Sequence, residues 1–200
     1  MDPKLSPDDA VLIFGDIQDN ISKFPLTNPR EEILRSARLL AKLAELFDIP
    51  TIAMTIPRRD GTSANVVPEI TQTRSKFTHI ERSRPDSFQV PEIRTAIENT
   101  GRKAMIICGI ATEIVVQWLA LSGRARGYQV YLVVDACGGL GERSEQAAFS
   151  RMQAAGVVMT SVVSLAGEFS GDFRGGKGRD VINIVYERMG IATSEEPSGL

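Results

Sequence analysis

The sequence predicts a three-layer α/β/α fold with a mainly parallel central sheet. Two patterns predict it. Short continuous apolar runs read as strands buried on both faces, and the segments between them repeat their apolar residues at steps of three and four. Strands alternating with amphipathic helices form a parallel sheet covered on both sides.

The elements follow in order. Ala10 to Phe14 is an apolar run that stops at Gly15-Asp16 and predicts a buried strand. A helix is expected from Pro29 to Phe47, where Ile33, Leu34, Ala37, Leu40, Leu43, Ala44 and Phe47 share one face; Asn28 is its expected N-cap, with Pro29 at the first helical position. Thr51 to Ile56 predicts a second strand, closed by Pro57 and followed by a polar loop from Arg58 to Asn65. A short strand is expected at Thr78 to Glu81 and a short helix at Val90 to Asn99. Further strands are expected at Ala104 to Cys108, Tyr128 to Val134 and Val157 to Thr160, with helices at Thr112 to Ala125, Ser144 to Ala155, Ser164 to Phe169 and Asp180 to Met189. No internal repeat or low-complexity linker divides the 200 residues, so a single domain over 1–200 is expected.

Composition narrows the function classes. With 23 basic and 25 acidic side chains there is no basic field to hold a phosphate backbone, so no nucleic-acid partner is expected. No apolar stretch approaches the ~20 residues of a membrane helix, so no membrane partner is expected either. The opening MDPKLSPDDA lacks the layout of a signal peptide, which predicts a cytoplasmic protein. Two cysteines, Cys108 and Cys137, exclude a disulfide-rich scaffold and read as free buried thiols; one histidine, His79, leaves little for a zinc site, and neither a metal nor a cofactor is expected. The glycines at 138, 139 and 141 lack the last glycine of a dinucleotide fingerprint, where Ser144 stands.

In folds of this class ligands sit beyond the carboxyl ends of the strands. Asp16 lies at such an end, where partial desolvation suits a carboxyl to carrying protons; capping a loop is the alternative. Arg82 and Arg84 follow the third strand, and Arg58 and Arg59 the second; a guanidinium there would grip an anionic substrate or form a surface ion pair. In Cys108-Gly109-Ile110-Ala111-Thr112-Glu113 a strand ends and a helix begins, which offers free N–H groups to an anion or oxyanion. Gln18 lies in the polar loop after Asp16, and it and Arg58 are substrate-binding candidates with Ile110, Ala111 and Thr112.

The ordered pieces VLIFGDIQDN, VPEI, IERSRPDSF, MIICGIATEIVVQWLALSGRARGYQVYLVVDACG and SRMQAAGVVMTSVVSLAGEF span nearly the whole chain. In sequence and spacing they resemble the isochorismatase-like hydrolase superfamily, and within it the YcaC-related branch. The resemblance implies a Rossmann-like three-layer fold, a cis non-proline peptide between Ile110 and Ala111, homo-oligomers, and a triad of Asp, Lys and nucleophilic Cys. Carried over, the Asp is Asp16, the Lys position falls on Arg82, and the Cys position falls on Val115, which has no nucleophilic atom. The resemblance therefore implies a hydrolase of a small molecule, anionic if the arginines bind it, that uses Asp16 for acid/base chemistry without the thiol. Isochorismatases offer such a route, since they protonate a vinyl ether for attack by water. The alternatives are a non-catalytic member that binds a ligand or assembles, and an amidase-type hydrolase carrying a Cys-to-Val substitution.

Overall fold

A computed structural model of the chain describes residues 4–191. Six parallel strands form one sheet: β1 (Ala10–Gly15), β2 (Thr51–Thr55), β3 (Thr78–Glu81), β4 (Ala104–Ile110), β5 (Gln129–Gly138) and β6 (Val158–Thr160). Their order is β3-β2-β1-β4-β5-β6. Every residue of β1, β2 and β4 is buried, which explains their unbroken apolar runs. β3 is an edge strand, mostly exposed, with THIE in place of such a run.

The helices are α1 (Arg30–Phe47), α2 (Pro68–Thr71), α3 (Pro91–Asn99), α4 (Gln117–Ala125), α5 (Glu142–Ala154), α6 (Val162–Ser170) and α7 (Lys177–Met189). α1 buries Ile33, Leu34, Ala37, Leu40, Leu43 and Ala44 as the periodicity predicts. It ends at Asp48 in the left-handed conformation (φ 52°), whose N–H returns to Ala44 and Glu45 carbonyls. Among the described residues no helix is long and apolar enough to cross a membrane.

Several expectations need correction. Asn28 does not cap α1: the helix begins at Arg30 after Pro29, with no side-chain cap, and the Asn28 amide instead donates to the Asp135 and Cys137 carbonyls at 3.2 and 3.1 Å. β4 runs through Gly109 to Ile110, and β5 runs on to Gly138 after a register shift between Ile107 and Gly109. Both overrun the residues at which their apolar runs were expected to end, because the β4–β5 ladder resumes at Gly109–Cys137 and Ile110–Gly138. The segment expected as a helix from Thr112 opens with a wider π-helical turn, Thr112–Val116, before α4 proper.

The chain runs from β1 outward through β2 to β3, then crosses back to the other side of β1 as β4. The crevice between the ends of β1 and β4 is therefore the topological switch point of the sheet. Two glycines permit the approach there. Gly109, at φ 150°, pairs with Gly15, and a Cβ on it would lie 2.1 Å from the Gly15 carbonyl oxygen.

Candidate functional site

Asp16 is the first residue past β1. Its N–H donates to the Met54 carbonyl (3.0 Å), and its φ of 55° turns the chain out of the sheet, a conformation Asp accepts more readily than most residues. Arg82 is the first residue past β3, held by its N–H on the Thr55 carbonyl at 2.7 Å. These two strand ends flank β2, and the Arg82 guanidinium reaches back across it. Its Nε donates to Asp16 Oδ1 at 3.0 Å and its Nη2 to Oδ2, while Nη1 donates to the Arg84 carbonyl at 2.6 Å. The fork is thus bidentate on the carboxylate, and all three of its nitrogens donate. Only 1% of the Asp16 side chain and 7% of the Arg82 side chain is accessible. Burial raises the Asp16 carboxyl above its ordinary value, and the bonds and charge of Arg82 oppose that rise.

Across the crevice, the Ile110–Ala111 peptide is cis. Ala111 accepts from the Ile114 N–H (3.1 Å) and leads into the π-turn. Val115 is fully buried, and its two methyl carbons lie 3.3 Å from where a Cβ on Gly15 would stand. The branched hydrocarbon therefore packs against the residue before Asp16. Thr112, also buried, donates its hydroxyl to Glu145 Oε1 at 2.6 Å. Glu113 accepts from the Leu140 N–H (2.9 Å) and the Ser144 hydroxyl (2.7 Å) at the start of α5. Two glutamates thus cross between the N-terminal turns of neighbouring helices and fix the segment that carries Ala111 and Val115. Sequence reasoning placed Thr112 and Glu113 at the start of this helix but passed over Glu145, because Thr112 and Glu145 are 33 residues apart and no local pattern joins them.

The remaining candidates lie on the loops beside Asp16. Gln18 is fully buried, accepts from the Ile56 N–H at 2.8 Å and donates to the Asn20 side chain (2.7 Å) and the Ile56 carbonyl (3.1 Å). Its amide thereby ties the β1 loop to the end of β2. Arg58 is half-buried and donates from Nη2 to Asp19 Oδ2 at 2.5 Å and from Nε to the Ser63 carbonyl at 3.3 Å. Asp19 has a partly desolvated carboxyl, but bonds from Arg58 and Asn65 outweigh that and hold it below its ordinary value. Arg59 is exposed.

Neither thiol is open to solvent. Cys108 and Cys137 are free and buried; burial pushes both well above the ordinary thiol value, and Cys137 donates to the Val133 carbonyl at 3.3 Å. Among the described residues no three His, Cys, Asp or Glu side chains come together as a metal site. A surface groove of about 440 Å³ between α1 and α2 is lined by Arg30, Leu34, Arg38 and Glu69 and by none of the site residues.

Residues 10–163 match the isochorismatase domain family. YcaC of Escherichia coli strain K12 is 27% identical over 172 residues, which cover 86% of this chain and 82% of that protein. The crystal structure of Escherichia coli YcaC, an octameric hydrolase of unknown specificity, superposes with a TM-score of 0.83 at 26% identity, over 92% of this chain and 90% of that one. YcaC from Pseudomonas aeruginosa, solved with hexane-2,5-diol and covalent acrylamide, superposes with a TM-score of 0.86 at 28% identity, over 95% of this chain and 94% of that one. The family match over most of the chain, with the same parallel-sheet architecture, makes this chain a member of the isochorismatase family.

Proposed function

We propose that the chain is an isochorismatase-family hydrolase of a small molecule that works through Asp16 and without a cysteine nucleophile. The carrying observation is the Asp16–Arg82 pair: an ionisable carboxyl, desolvated and gripped by a guanidinium, at the switch point of the sheet. Burial keeps a proton on Asp16 to higher pH than in water, which suits it to donate that proton to a leaving oxygen. The same carboxylate, once deprotonated, accepts a proton from the attacking water. A substrate bearing an anionic group would draw Arg82 or Arg58 to itself, each at the cost of its present carboxylate partner. On this reading the N–H groups about the cis peptide meet the developing negative charge.

On this proposal Val115 occupies the place of the family's cysteine, and its methyl groups pack against Gly15. No thioester or thioether intermediate can form there. We also propose that the chain self-assembles, as the octameric Escherichia coli relative does. One observation favours a second reading, a non-catalytic member that keeps the fold for ligand binding or assembly: neither side chain of the Asp16–Arg82 pair is more than 7% accessible, and both Asp16 oxygens are taken.

A panel of small amides, esters and vinyl ethers, with and without carboxylate groups, separates the two. The hydrolase reading expects turnover of an ester or vinyl ether by the natural chain, unaffected by thiol-blocking reagents. Absence of turnover across the panel in the natural chain, with amidase activity appearing in Val115→Cys alone, supports a member that has lost catalysis.

A further inference from the structure

A helix lying on a globular protein presents one apolar stripe to the core and a polar face to water. The α4 segment breaks this rule. Its inner face, Val115, Val116, Leu119, Ala120 and Gly123, is buried against the sheet. Its outer face, at steps of four, three and four, reads Ile114, Trp118, Leu121, Ala125, with no polar side chain of the helix among them, while the Arg151 guanidinium of α5 lies 5.0 Å from the centre of the Trp118 ring. Ile114 is 40% and Trp118 38% exposed, and Leu121 is half-buried. Leu140, 55% exposed, extends the patch, since its N–H is bound to Glu113 beside Ile114. Of the seven large hydrophobic side chains exposed among the described residues, three therefore gather at this one place.

From this we infer that the outer face of α4 is a contact between two copies of this chain, packed antiparallel about a two-fold axis passing between Trp118 and Leu121. The inference deepens the proposed self-assembly by naming its surface. Two features select a second copy in this orientation. Side-chain size falls along the stripe from Ile114 and Trp118 to Leu121 and Ala125, so an antiparallel copy sets large against small, Trp118 on Leu121 and Ile114 on Ala125. The helix dipoles agree: an antiparallel copy sets the N-terminal end of one helix beside the C-terminal end of the other and so opposes the two dipoles. The contact also bears on the site. The helix that would dock carries Val115 on its inner face against Gly15, so assembly braces the turn that forms one wall of the crevice.

The chain holds a single tryptophan, Trp118, so its fluorescence reports on this surface alone. The test combines sedimentation velocity and iodide quenching of the full chain with Ile114→Asp and Ala125→Arg, both at exposed positions, each checked for folding by circular dichroism. We expect the natural chain to sediment at twice 21.8 kDa or more with Trp118 shielded from iodide. Each variant should weaken association by about tenfold or more and expose Trp118. Oxidised mixtures of Ile114→Cys with Ala125→Cys should cross-link between chains, and Ile114→Cys alone should not; the two native thiols are buried and stay silent. A natural chain that sediments as a single copy overturns the inference, as do variants that leave the assembly intact, or cross-linking by Ile114→Cys alone. A shielded Trp118 in a single copy would mean that residues of the same chain cover the stripe, and overturns it too. None of these outcomes depends on turnover, so failure here is distinct from failure of the proposed chemistry.

Discussion

Arg82 donates to both carboxylate oxygens of Asp16, 66 residues before it in the chain, and the pair is shut away from water. Such a pair contributes little net stability while intact, but removing one partner strands a charge in the interior. Asp16→Asn should therefore lower stability by about 3–5 kcal/mol, measured by chemical denaturation. The Asp16→Asn, Arg82→Met double variant should recover most of that loss, because neither charge then remains. Equal stabilities for the single variant and the natural chain would show that the guanidinium finds other partners.

Gly109 makes a sharper steric prediction. Its added Cβ would fall 2.1 Å from the Gly15 carbonyl, and its φ of 150° disfavours any side chain. Gly109→Ala should cost about 3 kcal/mol or more, read from the denaturation midpoint. Gly15→Ala meets its nearest neighbours at 3.3 Å and should cost much less.

The thiols are a direct test of the proposed chemistry without a cysteine nucleophile. Cys108 and Cys137 are buried and held in the neutral form by desolvation. The native protein should therefore show no fast reaction with a thiol reagent such as acrylamide, and both thiols should react once it is unfolded; mass spectrometry counts the adducts. Val115→Cys should add one reactive site beside Gly15 if the crevice admits the reagent. A fast adduct on the natural chain would return a cysteine to the mechanism.

Asp135 carries the pH prediction. It accepts from the Val162 N–H at 3.1 Å and lies 3.9 Å from Arg188, yet burial, the largest influence, raises its carboxyl above 3.8. A raised acid binds its proton more tightly in the folded chain than in the unfolded one. Its contribution to stability is therefore greatest below 3.8 and is lost as pH climbs through the raised value. Asp135→Asn keeps an acceptor for Val162 and removes this loss. The variant should equal or exceed the natural chain near pH 7 by up to about 1 kcal/mol, with the gap closing in acid, as urea denaturation across pH would show.

Strand and helix order was legible because β1, β2 and β4 are buried on both faces, which forces runs such as AVLIF and MIIC. Strand ends were less so: β4 and β5 continue past Cys108 and Val134 because their ladder resumes after a register shift, a pairing no single segment encodes. Asn28 reads as a cap by position, but its amide is drawn to β5 carbonyls over 100 residues away. At the site, Asp16 stands out as a charge next to an apolar strand and Arg82 as a charge just past the short edge strand β3, and the structure brings them together. The Glu113 and Glu145 bonds that fix the π-turn leave no trace in spacing. Gln18 marks the polar loop correctly, but only the fold reveals that its amide is spent on Ile56 and Asn20.

Turnover of a panel-identified substrate by the natural chain, by Asp16→Asn and by the Asp16→Asn, Arg82→Met double variant is the most direct measurement of the proposed chemistry. A positioned proton carrier typically contributes 10²–10⁴-fold, so both variants, folded by circular dichroism, should lose about that much in kcat while the natural chain keeps its rate after thiol alkylation. A folded Asp16→Asn protein that turns over the same substrate at the natural rate would contradict the account.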